Sequence, residues 1–125
     1  MPRAKSPGLT DAELRLMEVL WKKGVATVAE VVEGIVGDPP LAYSTVLTTL
    51  RILENKGYLL HSKQGRAFAY KPAVGRDTAR ENAIRHLLRR FFDDSPELLL
   101  LNLVETKRIG NQELARLRKR VEEGE

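Results

Sequence analysis

Apolar residues in the first part of the chain recur with the spacing of amphipathic helices. The first stripe follows Thr10, with Glu13 three residues further on, a pairing typical of a capped helix start. Thr27 and Glu30 repeat this pairing before a valine-rich stripe, and so predict a second helix. The positions expected in the core are Leu14, Met17, Leu20 and Trp21 in the first helix and Val28, Val31, Val32 and Ile35 in the second. Two short helices are therefore expected to open the fold, after a flexible arm over residues 1–8.

A third helix is predicted to start between residues 41 and 44, and its two faces differ in chemistry. Asp38-Pro39-Pro40 separates it from the second helix, because proline cannot continue a helix, and Gly57 ends it. The face expected on the core carries Val46, Leu50 and Leu53. The opposite face carries Ser44, Thr48, Arg51 and Asn55, with Thr45 and Leu47 at its edges. Hydroxyl, amide and guanidinium groups without an acid can bond to base edges and phosphates.

Two short extended segments, 58–63 and 67–71, follow Gly57, and Phe68 and Tyr70 alternate in the second of them. Gln64-Gly65-Arg66 joins the segments as a tight basic turn. Helix, turn, helix and then a hairpin is the pattern of a winged helix-turn-helix domain. Winged helices also bind other proteins, so this pattern favours DNA binding while leaving a protein-interaction module as the alternative.

The second half of the chain predicts helices with more apolar surface than one small domain can bury. Ser95 and Pro96 are typical of a helix start, and the helix that follows is apolar on nearly every side. We therefore expect a mainly α fold, with a winged-helix domain in residues 1–74 and a helical dimerisation domain in residues 75–125. The residues predicted to form the dimer interface are Ile84, Leu87, Leu88, Phe91, Leu98, Leu99, Leu101, Leu103, Val104, Leu114, Leu117 and Val121.

Composition narrows the classes of function. The chain has 125 residues, a net charge of +4 and no cysteine, which suits an anionic partner and excludes disulfides and thiolate chemistry. No apolar run is long enough to span a bilayer and no signal peptide is visible, so a cytoplasmic protein without membrane insertion is expected. His61 and His86 lie far apart in sequence, and no acid–base constellation stands out. We therefore expect neither an enzyme nor a bound cofactor or metal.

The order of these signals resembles the penicillinase repressor and methicillin-resistance repressor family. The segments that carry the resemblance are LTDAELRLMEVLW, YSTVLTTLRILENKGYL and GRAFAYKP. The resemblance implies a dimeric winged-helix repressor that binds a palindromic operator, commonly of β-lactamase or penicillin-binding-protein genes in an antibiotic response. It also implies that Ser44, Thr45, Leu47 and Thr48 enter the major groove. Lys63 and Arg66 would then place the hairpin on the DNA backbone.

Antibiotic-responsive members of that family are inactivated when a membrane sensor protease triggers their cleavage. The cut falls at an asparagine–phenylalanine bond in the dimerisation helix, and Asn102-Leu103 occupies the matching position here with leucine in place of phenylalanine. The resemblance thus implies a cleavage site at Asn102-Leu103 and a sensor protease as a partner. The alternative is that Asn102 is simply a polar position on an apolar helix. A copper-responsive branch uses a cysteine-rich tail, which this chain lacks.

Overall fold

The computed structural model describes residues 8–35, residue 37 and residues 40–124. Residues 1–7 of the predicted arm and Asp38-Pro39 of the predicted turn lie outside these described residues. The elements are α1 Asp11–Lys23, β1 Ala26–Thr27, α2 Val28–Gly34, α3 Tyr43–Asn55, β2 Leu59–Gln64, β3 Ala67–Pro72, α4 Arg76–Phe91, α5 Pro96–Glu105 and α6 Asn111–Glu123. The predicted fold class, a mainly helical protein with a winged helix, is confirmed.

Strands β1, β3 and β2 lie in that order in an antiparallel sheet. Strand β1 is not apparent in the sequence pattern, because its two residues merge into the start of α2. In the hairpin, Gln64 pairs with Ala67, which leaves Gly65 and Arg66 as a two-residue turn. Gly65 has a φ of +61°, the left-handed conformation that such short turns require at a glycine.

The core of the first compact unit lies between α1, α2, α3 and the sheet. Val46, Leu50 and Leu53 are completely buried, as their spacing in α3 predicts. The prediction for α1 is wrong at Leu14, which is 40% exposed, and it omits Leu16, which is completely buried. Leu14 instead lines a groove with Trp21 of α1 and Ala79 of α4, whereas Leu16 joins the core cluster.

The chain divides into two compact units, one ending at Ile84 and the other beginning at Arg85. This division falls inside α4, later than the predicted boundary at residue 74. The first half of α4 belongs with the winged helix because Ala79 is buried in its core. Just before α4, Nε1 of Trp21 donates to the backbone oxygen of Val74 at 2.9 Å, which fixes the start of this helix.

In the second unit, α5 begins as the sequence predicts. Ser95 is its N-cap and accepts a hydrogen bond from the backbone nitrogen of Leu98 at 3.0 Å, with Pro96 in the first turn. No residue that the structure describes in α5 or α6 is buried. The described helices include none with the length and apolarity needed to cross a membrane.

A buried ion pair joins the start of α1 to the end of α3. The carboxylate of Glu13 accepts from the backbone nitrogen of Thr10 at 2.9 Å and lies 2.8 and 3.0 Å from Nζ of Lys56. Glu13 is only 5% exposed, and Lys56 also donates to the backbone oxygen of Gly8 at 3.3 Å. The sequence predicts the capping role of Glu13 but not its partner, which lies far along the chain.

We expect Glu13→Ala to lower the free energy of unfolding by about 3 kcal/mol, because it removes the cap and leaves the Lys56 ammonium without its partner. Glu30→Ala is a matched control, since Glu30 caps α2 in the same way, by accepting from the backbone nitrogen of Thr27 at 2.9 Å, but is exposed. It should cost about 1 kcal/mol. Urea unfolding measures both variants, and equal losses would show that the ion pair adds nothing.

Candidate nucleic-acid interface

The outer face of α3 is polar and open to solvent. Ser44, Thr48, Arg51 and Asn55 are all exposed and lie on one side of the helix, opposite the buried residues. Their spacing of three or four residues places the four side chains in one row along the helix. The structure therefore brings together the two hydroxyls and the guanidinium that the sequence predicts for DNA contact.

The two predicted residues at the edges of this face, Thr45 and Leu47, differ in their exposure to solvent. Thr45 is exposed, and its backbone oxygen accepts a hydrogen bond from Oγ1 of Thr49 at 2.7 Å. That bond satisfies the hydroxyl of Thr49, which the core buries. Leu47 is half-buried and packs against the core cluster, so only part of its side chain can reach a ligand.

The two predicted cations of the hairpin are both exposed. Lys63 lies near the end of β2, opposite Phe68, and Arg66 occupies the turn itself. Lys56, although close in sequence, is held by Glu13 and is not available in the same way. The hairpin therefore presents Lys63 and Arg66 near its tip, where guanidinium and ammonium groups suit phosphate oxygens.

A contact that the sequence pattern does not predict connects α3 to the hairpin. Among the described residues of α3, Glu54 alone is acidic, and its Oε2 lies 2.6 Å from Nδ1 of His61 on β2. Because a carboxylate only accepts hydrogen bonds, Nδ1 of His61 is the donor. The His61 ring also lies edge-on to Phe68 and beside Tyr70, with ring centroids 5.2 and 5.8 Å apart.

Arg51 has a partner in the sheet. Burial raises the pKa of Tyr70, and the charge of Glu54 raises it further, whereas the charge of Arg51 and its side-chain hydrogen bond to Tyr70 oppose that rise. The charges of Arg51 and Glu54 therefore act on the pKa of Tyr70 in opposite directions. Tyr70 lies on β3, so sequence spacing along α3 alone does not reveal this coupling.

Over the part of the chain that the structure describes, no group of three or more histidine, cysteine, aspartate or glutamate side chains comes together as a metal site would require. His61 is engaged with Glu54 and the neighbouring aromatic rings. What the site offers is a helix with hydroxyl and guanidinium groups beside a basic hairpin.

Comparison with known proteins agrees with this geometry. The sequence profile described as "Penicillinase repressor" matches residues 9–123. The chain belongs to the penicillinase repressor family. It is 31% identical over 119 residues to the penicillinase repressor of Bacillus licheniformis, which covers 95% of this chain and 93% of the relative. It is also 34% identical over 122 residues to the transcriptional regulator BlaI of Mycobacterium tuberculosis, and this match covers 96% of this chain and 87% of the relative.

A solved structure supports the fold of the first unit. The solution structure of the DNA binding domain of the repressor BlaI superposes with a TM-score of 0.52 at 34% identity, and covers 61% of this chain and 93% of that one. The prediction that this chain is a member of the penicillinase repressor family is therefore confirmed. The prediction that it is a repressor rather than an enzyme is confirmed with it.

The neighbours of Tyr70 can be tested by titration. In a Tyr43→Phe, Tyr58→Phe background only Tyr70 of the three tyrosines remains, and its tyrosinate absorbance should appear above the ordinary pKa of 10.0. Adding Arg51→Ala should raise the pKa of Tyr70 further, because it removes the cation that stabilises the phenolate. Adding Glu54→Ala should lower it. If neither substitution moves the titration, Tyr70 does not contact α3 as described.

Proposed function

We propose that this protein is a sequence-specific transcriptional repressor that binds a palindromic operator as a homodimer. The observation that carries the proposal is the outer face of α3, where Ser44, Thr48 and Arg51 are exposed in one row above a fully buried inner face. An α-helix fits the major groove of DNA, and these side chains carry donors and acceptors for base edges and phosphates. A cytoplasmic location follows for a protein that acts on chromosomal DNA.

Within this proposal the helix and the hairpin have different tasks. Thr48 contacts a base edge in the major groove, Ser44 and Thr45 contact bases or phosphates beside it, and the exposed part of Leu47 meets a thymine methyl group. Lys63 and Arg66 bind the phosphate backbone beside the groove, which contributes affinity without reading sequence. Arg51 is exposed on the outer face of α3, and its charge also acts on Tyr70 of the sheet, where it opposes the rise in the pKa of that residue.

This division of tasks predicts two distinct mutant phenotypes. Thr48→Ala should weaken binding to the chain's own upstream promoter about fivefold but leave binding to scrambled DNA unchanged, because it removes a groove contact. Arg66→Ala should weaken binding to both DNAs, because it removes a phosphate contact. The slope of log affinity against log salt, which is negative, should become smaller in magnitude by about one. Fluorescence anisotropy titrations at several salt concentrations measure both effects.

Thr78→Ala is the matched control, since Thr78 is an exposed threonine on α4. It should bind both DNAs as the wild type does. Wild-type binding that is weak and equal for promoter and scrambled DNA would contradict sequence-specific recognition at this promoter. No binding by the folded wild type at low salt would support the alternative, a winged helix that binds another protein.

The dimer proposal rests on the apolar surface of the second unit. In the single chain Leu101 is 49% exposed on α5 and Val121 is 67% exposed on α6, although both are large apolar side chains. Of the other predicted interface residues, Leu88 is buried, Leu99, Leu103, Val104 and Leu114 are half-buried, and Ile84, Leu87, Phe91, Leu98 and Leu117 are exposed. Apolar surface of this extent marks a protein–protein interface, and a second copy is the partner that a palindromic operator calls for.

Introducing a charge on this surface should separate the copies. We expect the wild type to sediment at twice the chain mass and Leu101→Glu to sediment as a monomer, because association would bury an unpaired carboxylate. The same variant should lose affinity for the full operator, since each chain then contacts only one half-site. Gln112→Glu, which adds the same charge at an exposed polar position of α6, should remain dimeric. A wild type that is monomeric at operator-saturating concentrations would contradict the proposal.

We also propose release of the operator by cleavage between Asn102 and Leu103, under control of a membrane sensor protease. The backbone oxygen of Asn102 accepts hydrogen bonds from the backbone nitrogen and Oγ1 of Thr106 at 3.0 and 2.8 Å. Arg108 likewise donates its backbone nitrogen to the oxygen of Leu103 at 2.9 Å. The end of α5 must therefore unwind locally before a protease can bind this bond. Cleavage there would separate α6 from the rest of the chain and so remove part of the proposed interface.

A further inference from the structure

The hairpin and α3 can bind one DNA duplex together only if the angle between them is fixed. Packing holds only the base of the hairpin, because Leu59 is buried in β2 whereas the five residues from Leu60 to Gln64 are exposed. In β3 the buried residues are Ala69 and Tyr70, and the two residues nearer the turn are exposed. The outer part of the hairpin therefore lacks the apolar burial that fixes most sheets.

His61 lies where packing stops, in the exposed part of β2. It is the partner of Tyr70 in the sheet register, and its ring also lies edge-on to Phe68, one residue from the start of β3. Its Nδ1 then donates to Glu54 on α3 at 2.6 Å. This one side chain thus connects α3 to both strands of the hairpin.

We propose that Glu54 and His61 are positioning residues for DNA binding: their hydrogen bond holds the hairpin against α3, so that Lys63 and Arg66 reach the backbone of the duplex that α3 reads. The inference rests on the DNA-binding function proposed above. Neither residue needs to touch DNA. Their effect on affinity is preorganisation, since a hairpin already held in place loses less conformational freedom when its cations bind.

The charge of Glu54 makes this proposal sharply testable. A carboxylate on the helix that faces DNA is repelled by phosphates, so charge alone predicts that Glu54→Ala strengthens binding. Positioning predicts the opposite sign, because the alanine variant releases the hairpin. The two explanations therefore differ in the direction of the effect.

The first experiment titrates Glu54→Ala, Glu54→Gln and the wild type onto the chain's own upstream promoter duplex. Glu54→Ala should bind about fivefold more weakly and reduce the magnitude of the salt slope by about two, because the released hairpin loses the phosphate contacts of both Lys63 and Arg66. Glu54→Gln should bind at least as tightly as the wild type, because its amide oxygen still accepts the Nδ1 hydrogen bond. Glu81→Ala, which removes an equal charge from an exposed position on α4, should not weaken binding.

A double-mutant cycle with Arg66→Ala shows whether Glu54 acts through the hairpin. We expect Arg66→Ala to weaken binding several-fold in the wild type but less than about twofold in Glu54→Ala, because the released hairpin has already lost that contact. Additive effects would overturn the proposal, and so would Glu54→Ala binding as tightly as the wild type. In either case the DNA-binding function still stands, whereas a wild type that binds no DNA would overturn both.

Variants at His61 test the same hydrogen bond from its other end and cover the case in which Glu54→Ala fails to fold. His61→Asn keeps an N–H near the position of Nδ1, whereas His61→Leu keeps bulk but removes the donor. Thermal unfolding first selects the folded variants. His61→Leu should reproduce the weaker binding and the shallower salt dependence of Glu54→Ala. His61→Asn should restore most of the wild-type affinity and most of the wild-type salt dependence. Equal affinities for the two variants would overturn the proposal.

Discussion

Burial of one face of α3 is the constraint on which the rest of the structure depends. Val46, Leu50 and Leu53 are completely removed from solvent, and burying side chains of this size stabilises the fold by about 1.5 to 3 kcal/mol each. Rotating the helix about its axis would expose them, so their burial also fixes which residues point outward. Ser44, Thr48 and Arg51 are presented to a ligand because they lie opposite. The same residues that stabilise the domain therefore set the geometry of its proposed DNA-reading face.

Local patterns in the sequence predict the helices, the hairpin turn and the polar face of α3. They do so because capping boxes, helical stripes and Gly65 each act over a few residues. The misses all depend on contacts between elements. Leu14 is exposed whereas Leu16 packs into the core cluster, and the Glu13–Lys56 ion pair and the Glu54–His61 hydrogen bond each join two elements. The helical periodicity of the sequence places Glu54 on α3, but it does not show that a histidine on β2 forms a hydrogen bond with its carboxylate.

The second unit differs from the first in how little of its apolar surface is buried. Helix α5 begins after the N-cap Ser95, as the sequence predicts, but α5 and α6 leave large apolar side chains in contact with solvent. Local signals define where such helices begin, but their apolar side chains stay exposed until another surface covers them. Association with a second copy would supply that surface. It would also let the α3 helices of the two copies bind the two halves of a two-fold DNA site. Stability of the proposed dimer and affinity for DNA would then rise or fall together.

The most direct measurement is a footprint of the full wild-type chain on its own upstream DNA. A two-fold dimer that reads the major groove should protect two symmetry-related half-sites, with centres separated by about 10 base pairs or a multiple of that spacing. Both half-sites should become protected at the same protein concentration, because one dimer fills them. Protection of a single half-site without a symmetric partner would contradict the dimer. No protected segment at any concentration of folded protein would contradict operator binding at this promoter.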